Sequence, residues 1–303
     1  MLRKIELAKV RDFGEVINDT FAFLKQNFKP LIKQVLVFSG VFVAGTIICT
    51  TIYTLQMPTG VAGETFPVRT GLLDSSASLG YFAVAAVLSG FFLLMSYFIT
   101  TITVLSYLAL YKTKGSVPPT TEETWGYVKY YFWRTMGAAI VSFILICIGF
   151  VFCVIPSIYL GVVLALFLPI IIVENGSFNY AFGRCFSLIK DNWWVTFGCF
   201  IVMNFIVGIA AGVTSIPSAM IPLLTVFAHV SSSNPLYVVI TAFTIAVKSL
   251  SELFHIIPII TVGLIYFNLV EAKEGTSLLD KIDAIGTAAA APEPTEDAGE
   301  EEY

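Results

Sequence analysis

Three ionisable residues stand in the apolar stretch AVKSLSELFHIIPII: Lys248, Glu252 and His255, spaced by four and then three. On an α-helix that spacing stacks them on one face. A charge inside a bilayer costs several kcal/mol unless it is paired or hydrated, so such a trio is the pattern of an ion or proton path. Pro258 follows three residues later and can open the helix, as happens in the discontinuous helices of transporter sites. The trio also fits a plainer arrangement. A helix lying on the outer surface would lead into a shorter span starting near residue 252, with Lys248 snorkelling into the headgroups. The plainer arrangement is the expectation, and a small transporter or channel using the three residues is the alternative.

A second crowded stretch is FSLIKDNWWVTFG, residues 186–198, where Lys190, Asp191, Asn192, Trp193 and Trp194 are consecutive. Little else suggests chemistry. The two histidines, His229 and His255, are too few for a multi-histidine metal site, and no HExxH, GxSxG, Walker A or GxGxxG pattern occurs. The serines of GVTSIPSAMIP (212–222) lack a nearby lysine or histidine, so this segment reads as a loop or short re-entrant piece. Cys49, Cys147, Cys153, Cys185 and Cys199 form no CxxC pair and read as small buried hydrophobes. No catalytic residue, metal or cofactor is expected, and the scattered basic residues form no nucleic-acid patch.

The elements that carry these residues follow from hydropathy. The 303 residues are 57% hydrophobic and 13% charged, about half the charge of a soluble domain, which points to an integral membrane protein. Apolar runs long enough to cross a bilayer fall at about 31–55, 80–111, 136–154, 157–174, 194–214 and 238–270. The third and fourth are separated only by CVIPS (153–157), where Pro156 suits a tight turn. The second and sixth are longer than a span needs. The domains are then an N-terminal segment 1–30, a six-span membrane domain 31–274, and a tail 275–303 that is acidic and disordered from about 287.

Charge placement orients this arrangement. With six spans, fifteen of the seventeen basic residues share the side of both termini; Arg69 falls in an opposite loop and Lys248 within a span. The positive-inside rule makes that side cytoplasmic, in a bacterial inner membrane. No signal peptide precedes the first span, which is expected to act as its own insertion signal. The formal charge of −4 says little, because six acids lie in the last eleven residues. All four tryptophans, Trp125, Trp133, Trp193 and Trp194, sit beside span starts on the cytoplasmic side, where the headgroup layer suits an apolar ring with a polar N–H.

The segments before spans one, three and five look alike: FGEVINDTFAFLKQNFKPLI, TTEETWGYVKYYFWRTMGAAI and FNYAFGRCFSLIKDNWWVTFG. Each places an aliphatic–lysine pair (Leu24-Lys25, Val128-Lys129, Ile189-Lys190) ahead of a Phe or Trp, with apolar residues at helical spacing. The fold class expected is therefore an all-α membrane protein of six transmembrane helices arranged as three hairpins. Each hairpin is preceded by a cytoplasmic interfacial amphipathic helix, near the N-terminus, at 120–133 and at 178–192. In the third copy Cys185 and Ile189 should face lipid, and Asp191 and Asn192 should satisfy backbone groups where helix meets span.

Three stretches together, FGEVINDTFAFLKQNF (13–28), SFNYAFGRCFSLIKDNWWVTFG (177–198) and IYFNLVEAKEGTSLLDKIDAIG (265–286), resemble the membrane domain associated with bacterial glycerophosphoryl diester phosphodiesterases. The shared features are the Ser187–Trp194 motif, Tyr266 leaving the last span, and the pair Glu274-Gly275. Hydrolytic members also carry a soluble metal-binding barrel, which is not expected here because only about thirty residues follow the last span. The resemblance thus implies the membrane fold and not the phosphodiesterase activity. The expected function is non-enzymatic: organising membrane lipids, with anionic headgroups foremost, or a membrane protein partner at the cytoplasmic face. Lys25, Trp125, Lys129, Trp133, Arg184, Lys190, Trp193 and Trp194 are the expected interface residues, at about 1 kcal/mol of lipid attraction for each cation near the surface.

Overall fold

The computed structural model describes residues 5–56, 76–227 and 235–275, and these form helices without a strand. In order they are α1 (Phe13–Gln56), α2 (Ser76–Thr113), α3 (Thr121–Phe152), α4 (Val154–Leu164), α5 (Phe167–Val173), α6 (Phe178–Ile189), α7 (Trp193–Phe227), α8 (Pro235–Leu250), a 3-10 turn (Ser251–His255) and α9 (Ile256–Glu274). Six helical runs are long and apolar enough to cross a membrane, which makes this a multi-pass membrane protein. Residues 57–75, His229 and the acidic tail lie outside the described residues.

Proline placement explains the interruptions. α3 stops at Cys153, whose backbone is extended at φ −172° and ψ 145°, and α4 starts at the next residue. Pro156 sits in the first turn of α4, where its missing N–H leaves no bond unmade. The two helices come close at Gly149, where an added Cβ would stand 3.3 Å from the Ser157 Cα. Pro169 cannot donate to the Ala165 carbonyl and its ring crowds it, so the fourth run divides into α4 and α5. Pro258 does the same to Phe254. The chain before it tightens to 3-10 geometry over 251–255, and α9 resumes the α-helix.

Two expected joints are not separate helices. The segment before span one is continuous with it in α1, and the 120–133 segment is continuous with span three in α3. The α3 segment begins with a complete capping box, Thr120 and Glu123 bonding reciprocally. Both runs lack the loop residues that would stop them; Pro30 marks only a place where α1 can bend. α6 alone stands apart, bounded by Ser177 at its N-cap and a turn over 190–192. The 212–222 segment, expected as a loop, is helical within α7.

The spans divide into two kinds. The apolar windows of the first, second, third and fifth are at most 22% buried, whereas those of the fourth and sixth are 56% and 61% buried. α5 and α9 therefore form the centre, around Leu166, Phe167, Ile170, Ile260, Leu264 and Tyr266. Val41, Leu94, Phe143 and Phe205 stand outside it, more than half exposed, as lipid-covered side chains are. α9 comes close to α2 at Gly263, where an added Cβ would push the Leu108 side chain aside.

Residues 13–28 of α1 touch several helix ends in succession. Phe13 lies against Gly198 of α7, Thr20 faces Thr261 of α9 with hydroxyls 3.3 Å apart, and Phe23 meets Tyr107 and Tyr111 of α2 edge-on. Beyond Pro30, Gln34 donates to the Pro119 carbonyl at 2.8 Å and Phe38 stacks on Trp125.

Candidate functional site

The expected trio is divided. Lys248 ends α8 exposed, whereas Glu252 and His255 lie in the 3-10 turn. With three residues per turn, positions 252 and 255 eclipse one another, and both meet α2. Ser96 Oγ donates to Glu252 Oε2 at 3.0 Å, and the His255 ring stands edge-on to Tyr97 at 5.7 Å. Ser96 is buried and Glu252 is half-buried. Lys248 makes no ion pair with Glu252. The geometry that stacked the three on one face assumed an unbroken α-helix, which Pro258 forbids.

α6 is amphipathic, but its apolar face is used by the protein. Ala181, Cys185, Leu188 and Ile189 are buried in the core, and Phe178 and Phe182 meet Phe167 of α5. The expectation that Cys185 and Ile189 face lipid is corrected: α5 occupies that face. Burial pushes the Cys185 thiol up to about 12, which makes it a poor nucleophile.

Arg184 is likewise not a free interfacial cation. Its Nε approaches Glu174 Oε1 at 3.4 Å, its Nη2 pairs with Glu274, and Tyr266 donates to the same Glu174 oxygen at 2.9 Å. Burial lowers the guanidinium's proton affinity, but Glu274 and Glu174 outweigh that and hold Arg184 above its ordinary value. The Tyr180 hydroxyl is raised mainly by the Glu174 carboxylate. Lys273 bonds the Ser187 carbonyl and stands 3.6 Å from Asp191. α9 then ends at Gly275, in the left-handed region at φ 59° with its N–H on the Glu271 carbonyl, the stop that glycine permits. In the Glu274-Gly275 pair the first residue anchors Arg184 and the second ends the helix. Arg134 extends the cluster by reaching Asn175 at 2.6 Å and the Gly176 carbonyl.

The remaining interface candidates differ in surroundings. Trp133 and Trp194 are 79% and 77% exposed. Trp125 is stacked on Phe38, with Lys129 Nζ 5.2 Å above its ring, a cation–π contact. Trp193 is packed between Tyr159 and Phe197, and its Nε1 is buried without a partner among the described residues, so its ring serves packing within the protein. Asp191 and Asn192 make no side-chain bond to the helix ends around them, and the turn is closed by the Asn192 N–H on the Ile189 carbonyl at 3.0 Å. Lys190 is exposed without an ion pair among the described residues.

A groove opens along α1 beside Lys25. It is a shallow, open depression of about 630 Å³, with Phe21, Leu24 and Phe28 as apolar wall, Lys25 and Lys29 as charges, and Pro30 at one end. Phe21 and Phe28 are exposed, and neither lysine has an acidic partner among the described residues. Lys33 continues the charge one turn further, also exposed and without an ion pair among the described residues. Spacing of four repeats Lys25, Lys29 and Lys33 along one stripe. The sequence reading singled out Lys25 but missed Lys29 and Phe28 as its companions, although that spacing was the available signal.

Among the described residues no group of histidine, cysteine and carboxylate side chains could hold a metal ion. The chain matches no protein-family model, and neither the curated proteins nor the solved structures give a match to it.

Proposed function

We propose that this multi-pass protein binds anionic lipid at the cytoplasmic face of a bacterial inner membrane, without enzymatic activity of its own. The groove on α1 carries the reading: two lysines with no acidic partner among the described residues, beside an exposed aromatic wall, suit a phosphate headgroup and the start of an acyl chain. On this reading the chain is a relative of the phosphodiesterase-associated membrane domains, and Lys129, Lys190 and the exposed Trp133 and Trp194 serve as further surface anchors. A membrane protein partner at the same face is the other occupant the composition allows.

Titration of phosphatidylglycerol into phosphatidylcholine nanodiscs holding the purified protein tests it. Joint replacement Lys25→Ala and Lys29→Ala should weaken anionic-lipid binding by roughly thirtyfold, about 1 kcal/mol for each cation. Equal binding of neutral and anionic lipid, or a double variant that binds as the native protein does, would sink the proposal.

The orientation has its own test. In a single-cysteine protein retaining Cys153, exposed in the α3–α4 turn, a membrane-impermeant maleimide added to intact cells should label the thiol. In a protein retaining only Cys185, labelling should wait for denaturation even in permeabilised cells, because burial excludes the reagent and disfavours the thiolate. Labelling of Cys153 only after permeabilisation would reverse the proposed topology.

A further inference from the structure

We propose that Glu252 is a proton-binding carboxylate, and that a row of hydroxyls on α2 carries protons between it and the Asn27–Tyr107 pair. This does not rest on the lipid reading.

The row begins at the carboxylate's own partner. Ser96, Thr100, Thr103 and Tyr107 follow one another at spacings of four, three and four, so a hydroxyl recurs once per turn on a single face. All four residues are buried. At the far end Tyr107 donates to Asn27 Oδ1 at 3.0 Å, and Asn27 in turn donates to the Phe23 carbonyl at 3.2 Å. Successive residues rise about 4.5–6 Å along the helix, a gap that one water bridges.

Unused hydrogen-bonding capacity also occurs elsewhere in the bundle. Gln34 Oε1 on α1, Ser106 Oγ on α2 and Thr241 Oγ1 on α8 are buried without a partner, and each parent residue is at least nine-tenths buried. Most hydroxyls in these helices satisfy themselves on the carbonyl one turn back, as Thr103 does on Ile99 at 2.6 Å. Buried atoms left over in a polar setting call for water, and water is what a proton needs to pass from one hydroxyl to the next.

The broken helix supplies the other half. The 3-10 turn 251–255 is half-exposed throughout, which gives Glu252 access from the side away from α2. No cation fixes the carboxylate: among the described residues no basic side chain forms an ion pair with it. The titratable groups on the elements packed around it are few. α8 contributes Lys248, the turn itself His255, and α2 Tyr97; α7 has no charged side chain, and α9 carries Glu271, Lys273 and Glu274 at its opposite end. An acid held by a hydroxyl and free of a counter-charge exchanges a proton instead of keeping a permanent charge. Each transfer exchanges one O–H for another, so no oxidant, reductant or leaving group is involved.

The test uses the full chain in liposomes loaded with a pH-sensitive dye, under a potassium diffusion potential. Native protein should pass protons above the rate of empty vesicles, and Glu252→Gln, which keeps an acceptor for Ser96, should cut that flux by about tenfold or more. Thr103→Val should also slow it, while Thr101→Val, on the exposed face of the same helix, should not. Infrared difference spectra should show a protonated-carboxyl stretch that titrates in the native protein and is missing in Glu252→Gln. This second readout uses the native protein first, so it survives a variant that folds poorly. No flux from the native protein, a flux carried by sodium instead, or an unchanged rate in Glu252→Gln would each overturn the proposal. Equal losses in Thr101→Val and Thr103→Val would remove the row from it.

Discussion

Arg11→Ala is expected to release the N-terminal segment from the bundle and to lower stability by roughly 3 kcal/mol, the cost of breaking a buried charge pair. The Arg11 side chain is fully buried. Its Nε donates to Asp19 Oδ2 at 2.7 Å, and its other nitrogens reach the carbonyls of Leu7 at 2.8 Å, Lys9 at 3.1 Å and Glu6. One guanidinium thus closes the chain over residues 6–9 and ties it to α1. Asn268 of α9 clips the same residue from the other side, accepting from the Arg11 N–H at 2.8 Å and donating to its carbonyl at 3.2 Å. Ile5 and Leu7 bury their side chains on this account. Truncation leaves three carbonyls and a carboxylate without their donor, and Arg11→Lys should not rescue it, because an ammonium cannot fork toward four acceptors. Thermal unfolding in mild detergent reads the stability, and limited trypsin cleavage at Lys9 reads the release. An unchanged Tm with Lys9 still protected would show that the segment is held by Ile5 and Leu7 alone.

The second large effect is expected at Arg184. Arg184→Ala leaves Glu174 with Tyr266 as its partner, one carboxylate oxygen already being buried and unbonded, and frees Glu274 at the end of α9. A loss of about 3 kcal/mol follows from stranding a largely buried carboxylate. Pairing Arg184→Met with Glu174→Gln should recover most of it, since the cost lies in the uncompensated charge more than in the missing contact. The effect should not fade between neutral and moderately alkaline pH. Arg184 and Tyr180 are both raised in the folded state, so what they contribute is complete below their ordinary values. It is lost only as pH climbs through the raised ones, far above working conditions. Failure of the double variant to recover would place the stabilisation in the geometry of the salt bridge itself.

Much of the fold was legible because apolar run length and proline position are local properties. The turn at CVIPS appears at Cys153, and the overlong sixth run breaks within a few residues of 252, because Pro156 and Pro258 act on the residues just before them. The three similar joints show where that reasoning stops. Their aliphatic–lysine–aromatic pattern describes an amphipathic surface equally well inside a long helix, as in α1 and α3, or on a free-standing one, as in α6. Nothing in the pattern says what covers the apolar face, and in α6 it is Phe167 and not lipid. Arg11, Glu174 and Asn268 drew no notice, because an isolated polar residue reveals its partner only when distant segments meet: Arg11 and Asn268 are 257 positions apart.

The sequence by itself determined that this chain is helical, that six of its runs can cross a membrane, and where prolines interrupt them. Only the tertiary structure decided which of those runs is central. Lipid and protein interior are equally apolar, so hydropathy cannot separate α9, enclosed by its neighbours, from α3, which presents Phe143 and Ile144 outward. It also decided which charges act together. Lys248 parted from Glu252 because a tightened turn re-aimed the carboxylate at Ser96, while Lys25 gained Lys29 and Phe28 along one exposed face of α1.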